Sequence, residues 1–164
     1  MRLIIVRHGK AKPESPTGRD EDRPLRPRGV RQAQRLAEAL RDADHTIRAV
    51  HASPALRAQQ TARVLADTLG AELIDEPRFG LSADVNDVLD LIAGAAAASP
   101  TLTLVGHNPT CAVLVALLLR GPGAIGSLGH RTGEAAILDL PDPANAIGAA
   151  RLVARLRFDD AETP

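Results

Sequence analysis

Hydrophobic positions along the chain form short continuous runs that alternate with longer stripes at helical spacing. Leu3 to Val6 (LIIV) is an unbroken apolar run with β-branched members, which predicts a strand covered on both faces, as in a parallel sheet. Ala49 to Ser53 (AVHAS) and Thr101 to Val105 (TLTLV) predict two more such strands, and Leu73 with Ile74 marks another. Between them, Pro27 opens a helix in which Val30, Ala33, Leu36, Ala37 and Leu40 recur on one face as far as Arg41. A second helix is predicted over Pro54 to Leu69, stopped by Gly70. A third covers Asp84 to Ala98, with Val85, Val88, Leu89 and Ile92 on one side, and an apolar fourth runs from Thr110 to Leu119. The glycine-rich stretch Gly121 to Gly133 reads as a loop, followed by two closing strands, Glu134 to Leu140 and Arg151 to Phe158.

Strands alternating with helices predict an α/β fold, a three-layer α/β/α sandwich with a mostly parallel central sheet. The 164 residues, 45% apolar and 24% charged, suit a single domain spanning residues 1–164. No apolar run approaches the roughly 20 residues that cross a bilayer, and no signal-peptide pattern precedes the first strand, so a cytoplasmic protein without membrane contact is expected. The single cysteine, Cys111, leaves no internal disulfide and no thiolate cage for a metal, and reads as a small buried hydrophobe. Net charge is zero, the twenty basic residues are dispersed, and Trp and Tyr are absent, which argues against a nucleic-acid partner. Oligomeric state is left open.

In parallel sheets of this kind, ligands bind beyond the carboxyl ends of the strands. Three strand ends carry similar chemistry: Arg7-His8-Gly9 after LIIV, Ser53-Pro54-Ala55-Leu56-Arg57 after AVHA, and Gly106-His107-Asn108-Pro109 after TLTLV. Ser53 and Asn108 read as helix caps followed by proline at the first helical position, which places Arg57 and His107 near helix N-termini that favour anions. If the three strands are neighbours, Arg7, His8, Arg57 and His107 converge into an anion pocket suited to a phosphate group. A neutral imidazole there can attack phosphorus to form a phosphoenzyme, the arginines stabilising the transferring group, so neither metal nor cofactor is required in principle.

Other candidates read more plainly. His45, in a polar turn, and His51, within a strand, are expected to be structural, and His130 (in SLGHRTGE) to border the pocket without touching substrate. Lys10 reads as solvated. The connection Lys10 to Arg26 is long enough to be functional or mobile, yet its Asp20, Glu21 and Asp22 read as a solvated face rather than a substrate-recognition lid.

The segments VRHGKA (Val6 to Ala11), RPLRPRGVRQA (Arg23 to Ala33), ASPALRAQQTA (Ala52 to Ala62), LVGHNPT (Leu104 to Thr110) and TGEAAILDL (Thr132 to Leu140) follow one another over nearly the whole chain. By them the sequence resembles the histidine phosphatase superfamily, which is phosphoglycerate mutase-like in fold, and more closely the small SixA-type phosphohistidine phosphatases. The resemblance implies that His8 is transiently phosphorylated while Arg7, Arg57 and His107 bind phosphate, with Gly9 allowing close backbone approach and Asn108 at most an indirect contributor. Many relatives acting on alkyl phosphates also carry a carboxylate that protonates the leaving group. Here Asp75, Glu76, Asp84 and Asp87 (in DEPRFGLSADVND) are available, none in a matching context.

A missing acid is more tolerable for phosphohistidine, whose protonated imidazole leaves readily, than for an alkyl ester. The expected activity is therefore a metal-independent phosphatase for phosphohistidine in a protein, of the histidine phosphotransfer domain type. A phosphatase of small phosphate monoesters and a non-catalytic phosphate-binding module are the alternatives, a phosphomutase being disfavoured by the short chain.

Overall fold

The structure is a computed structural model and describes residues 1–43, 45–97 and 99–158. Six strands, β1 (Arg2–Arg7), β2 (Ala49–Ala52), β3 (Glu72–Asp75), β4 (Thr101–Gly106), β5 (Ala135–Asp139) and β6 (Arg151–Leu156), form one sheet in the order β3-β2-β4-β1-β5-β6. β3, β2, β4 and β1 run parallel, whereas β5 is antiparallel to both β1 and β6. Four helices complete it: α1 (Pro27–Asp42), α2 (Leu56–Leu69), α3 (Val85–Ala95) and α4 (Thr110–Arg120).

The apolar run in β1 is continuous because both faces of this strand are covered. Ile4 and Val6 pack with Leu36, Leu40 and Leu65 of α1 and α2, while Leu3 and Ile5 pack with Ile92, Leu114 and Leu118 of α3 and α4. Each of these side chains is fully shielded from solvent, a burial worth roughly 1.5–3 kcal/mol apiece. Two cores on opposite faces of one sheet make the three-layer α/β/α sandwich.

Helix starts depart from the sequence expectation at two places that matter. α2 begins at Leu56, after an uncapped Ala55, and α4 at Thr110, after an uncapped Pro109. Ser53 and Asn108 therefore do not cap these helices, and their side chains are spent elsewhere. At the other end of α2, Gly70 takes a left-handed φ of 66°, as its position predicts. Asp84 caps α3, which closes at Ala95 instead of Ala98; Ala98 itself lies outside the described residues.

The long connection after β1 is closed at its base. Ala11 bridges Leu25, Lys12 N–H donates to Pro24 O at 2.8 Å, and Arg26 N–H donates to Lys10 O at 2.8 Å. Residues 13–23 thus form an excursion whose tip, the single turn Asp20–Asp22, contacts α2.

Candidate active site

β1 and β4 pair with Arg7 opposite Gly106, so the residues that follow, His8 and His107, leave the sheet at the same level. The His8 N–H donates to Gly106 O at 3.0 Å, and the two imidazoles lie with ring centres 5.0 Å apart. From β2 comes Ser53, whose N–H donates to Val105 O at 2.9 Å and whose hydroxyl meets His107 Nε2 at 2.7 Å. Arg57, one turn further, is 4% exposed and donates from Nε to His8 Nε2 at 3.2 Å. The structure therefore brings together Arg7, His8, Arg57 and His107, as three parallel neighbours require.

His8 Nδ1 lies 2.7 Å from Gly9 O, an acceptor that fixes the ring proton on Nδ1. The lone pair is then on Nε2, the atom that faces Arg57. Burial pushes the His8 pKa down to about 4, with Arg57, Arg7 and Arg23 acting in the same sense and the Gly9 carbonyl opposing them. His107 is lowered further, to about 3, by burial, His8 and Arg57, against a raising influence of Asp20. Both rings are neutral at physiological pH, the state in which Nε2 of His8 is nucleophilic.

Thr61, which the sequence reading did not single out, holds this geometry together with Gly9 and Asn108, which it did. Thr61 Oγ1, fully buried on α2, accepts from Gly9 N–H at 3.1 Å and donates to Arg57 O at 2.7 Å, tying the nucleophile's loop to the arginine's turn. Gly9 packs directly on Gly29 of α1: a Cβ on Gly9 would sit 2.4 Å from Gly29 O. The observed reason for Gly9 is thus contact with α1. Asn108 donates from Nδ2 to His130 O at 2.9 Å, and Arg7 Nη1 donates to the same carbonyl at 2.9 Å. His130 therefore borders the site through its backbone, while its ring is buried beside Glu134, which is itself bound to Arg155. The signal for Thr61 is its place one helical turn after Arg57.

The acidic turn corrects an expectation. Asp20 is not merely solvated: its Oδ2 accepts from Arg57 Nη2 at 2.8 Å, its backbone oxygen from Arg57 Nη1 at 2.6 Å, and its Oδ1 from Arg23 Nη1 at 2.7 Å. These bonds, Arg23's first, hold the Asp20 carboxyl below the usual range. In effect an intramolecular carboxylate occupies the guanidinium that an oxyanion would use. Asp20→Asn, which keeps the shape and removes the charge, should tighten inorganic phosphate as a competitive inhibitor by about three- to tenfold. A weaker phosphate Ki in this variant would mean that Asp20 positions Arg57 and does not compete.

None of the other acidic candidates sits at this site. Asp75 accepts from Gln59, Glu76 is bound twice by Arg78, Asp84 caps α3, and Asp87 is exposed. His45 contacts Arg2 at the opposite end of β1, and His51 lies 4.0 Å from Glu76. Cys111 is buried, which pushes its thiol up to about 12 and keeps it protonated. Among the described residues, no group of three or more His, Cys, Asp or Glu is arranged to hold a metal ion, and no helix is long and apolar enough to cross a membrane. An open groove of about 830 Å³ adjoins the site at Ser53 and extends past Leu56, Gln59 and Leu81, with Arg19 on its edge.

Comparison with known proteins gives the family and the fold that carry this site. Residues 3–80 match the family described as histidine phosphatase superfamily (branch 1). The chain is 30% identical over 161 residues to an uncharacterized protein of Picosynechococcus sp., covering 94% of this chain and 90% of that one. Among solved structures, the protein histidine phosphatase SixA complexed with tungstate superposes with a TM-score of 0.82 at 26% identity, over 96% of this chain and 97% of its own. A protein of Agrobacterium tumefaciens bearing the SixA name gives 0.78 at 28%, over 96% and 97%. With Arg7, Arg57 and His107 gathered around a neutral His8 and this likeness along nearly its full length, the chain belongs to the histidine phosphatase superfamily and is of the SixA type.

Proposed function

We propose that the protein hydrolyses phosphohistidine in a partner protein through a phosphorylated His8 and without a metal. That the chain is a phosphatase follows from its family; the phosphohistidine substrate is the finer reading. The observation that carries the chemistry is the neutral His8, its proton on the Gly9 carbonyl and its Nε2 lone pair held beside Arg57.

In the first step Nε2 attacks phosphorus and the bond from phosphorus to the substrate's imidazole breaks. A phosphohistidine protonated on its other nitrogen leaves as neutral imidazole, so no proton is needed from the enzyme. Arg7, Arg57 and His107 bind the equatorial oxygens, with Gly9 and Asn108 shaping the backbone around them. In the second step water attacks the phosphoryl group, His8 departs with its Nδ1 proton still in place, and the phosphate carries off both protons of the water. This path suits a site whose nearest carboxylate, Asp20, is held ionised by Arg23 and Arg57 and is a poor acid at neutral pH. The groove beside Ser53 is open enough for a histidine presented on a protein surface.

The test is a short pulse with a phosphodonor followed by intact mass, then competition between a phosphohistidine protein and a panel of small phosphate esters. An acid-labile single phosphoryl adduct, lost in His8→Ala, with kcat/KM favouring the phosphohistidine protein at least tenfold, is the expected result. Preference for an ester overturns the substrate assignment, and phosphate binding without an adduct overturns catalysis.

A further inference from the structure

We propose that Ser53 is a positioning residue for the anion site: its hydroxyl fixes the ring proton of His107 on Nδ1 and so makes that imidazole a hydrogen-bond donor to the phosphoryl oxygens. The inference rests on the reading that the His8 site takes a phosphoryl group. It adds the group that decides whether His107 attracts such an anion or repels it.

The assignment follows from matching donors to acceptors. Ser53 Oγ lies 2.7 Å from His107 Nε2 and accepts from Ala55 N–H at 3.3 Å. A hydroxyl has one hydrogen and two lone pairs, and Ser53 is fully shielded from solvent. Among the described residues its hydrogen meets no acceptor other than His107 Nε2. Leaving a buried donor unspent costs about 1–3 kcal/mol, so the hydroxyl donates to that nitrogen. Nε2 is then bare, and a neutral imidazole with a bare Nε2 carries its proton on Nδ1. Burial, with His8 and Arg57, keeps the ring neutral by lowering its pKa to about 3.

The Nδ1 of His107 is buried and has no hydrogen-bond partner among the described residues. The side chain of the next residue, Asn108, is spent on His130 O, and the ring centre stands 5.0 Å from that of His8. An unspent N–H beside the nucleophile is a donor held for the group that enters. The two imidazoles thus share one tautomer and use opposite ends of it. Gly9 O takes the Nδ1 proton of His8 and leaves Nε2 bare for attack, whereas Ser53 covers the bare Nε2 of His107 and leaves Nδ1–H for an oxyanion. Arg7 and Arg57 donate whatever their neighbours do. His107 donates only in the right tautomer; in the other, a lone pair would oppose the phosphoryl oxygen.

Both partners are held without help from a ligand. Ser53 N–H donates to Val105 O at 2.9 Å and Ser53 O accepts from Gln59 Nε2 at 2.9 Å, while His107 O accepts from Cys111 N–H at 2.8 Å. Val105 lies in β4, the strand that delivers His107, so one strand carries the imidazole and anchors the hydroxyl that orients it.

Long-range ¹H–¹⁵N spectra of the wild-type imidazoles at pH 7, the five histidines being assigned by single substitution, read the tautomer directly. His107 should show a protonated Nδ1 and a bare Nε2, both free and with inorganic phosphate bound. Ser53→Ala should move proton population to Nε2 and weaken phosphate, measured by calorimetry, by about three- to tenfold. Ser53→Thr, which keeps the hydroxyl, should retain the wild-type tautomer and an affinity within about twofold of the wild type. A wild-type His107 protonated on Nε2 overturns the inference without recourse to any variant. Unchanged His107 signals or unchanged phosphate affinity in Ser53→Ala also overturns it, as does a Ser53→Thr protein that keeps the tautomer and loses affinity, since packing would then be the role of this residue. An Nδ1-protonated His107 with the expected affinities, in a protein that forms no phosphoryl adduct, upholds the inference while catalysis by His8 falls. An adduct on His8 beside an Nε2-protonated His107 does the reverse.

Discussion

His8→Ala should lower kcat/KM for phosphohistidine or a phosphate ester by at least about 10⁴-fold, while inorganic phosphate still binds within about threefold of the wild type. The two effects separate because nucleophile and anion pocket are different groups of atoms. On the proposed reading phosphate is held by the guanidiniums of Arg7 and Arg57 and by His107, which come from β1, α2 and the end of β4 and keep anchors other than the His8 imidazole. Arg57 is anchored by two bonds to Asp20, and Arg7 by one to His130 O. What disappears is the Nε2 lone pair, for which no neighbour can substitute: His107, 5.0 Å away between ring centres, has its own Nε2 engaged by Ser53. Steady-state kinetics paired with calorimetry of phosphate binding checks this. Residual turnover within about a hundredfold of the wild type would remove His8 as nucleophile, and loss of phosphate binding would make it a principal anion ligand instead.

The parts of this site that were legible in the sequence are those fixed by strand ends. A run such as LIIV can be continuous only if both faces of its strand are covered, and polar residues directly after it must emerge where the sheet stops. Arg7, His8 and His107 follow from that rule alone, and Arg57 from its place one turn into the next helix. What remained hidden depends on contacts between segments far apart in the chain. Ser53 and Asn108 looked like caps because local spacing allowed it, but in the fold their polar atoms find His107 and the His130 carbonyl, and α2 and α4 start without them. Asp20 sat in a stretch whose alternating charges read as a solvated face. Its attachment to Arg57, 37 positions later, is a tertiary bond that no periodicity announces.

Lowering the pH from 7 to 5 should cost the unliganded protein about 4 kcal/mol of stability, a fall in Tm of roughly 10 °C, well before its carboxylates titrate. His8 and His107 have folded pKa values of about 4 and about 3, against 6.5 for an unconstrained histidine. Above pH 6.5 both states leave them neutral. Between 6.5 and 4 the unfolded chain binds protons that the folded site rejects, so unfolding becomes easier as the pH falls. Each group contributes about 2 kcal/mol by pH 5, at about 1.4 kcal/mol for each pH unit below its unfolded value. His130, lowered by burial although Glu134 pulls the other way, adds to the same trend. His8→Ala should remove about half of the loss assigned to the pair. Sulfate, dianionic across this range, offers both rings the negative charge that the site lacks and should therefore raise Tm more at pH 5 than at pH 7. Thermal melts at the two pH values, with and without sulfate, decide it: equal Tm at pH 7 and pH 5 would mean that these imidazoles take up protons in the folded protein as readily as in the unfolded chain, and a higher Tm at pH 5 would mean that they are already charged at pH 7, where a charged His8 has no lone pair with which to attack phosphorus.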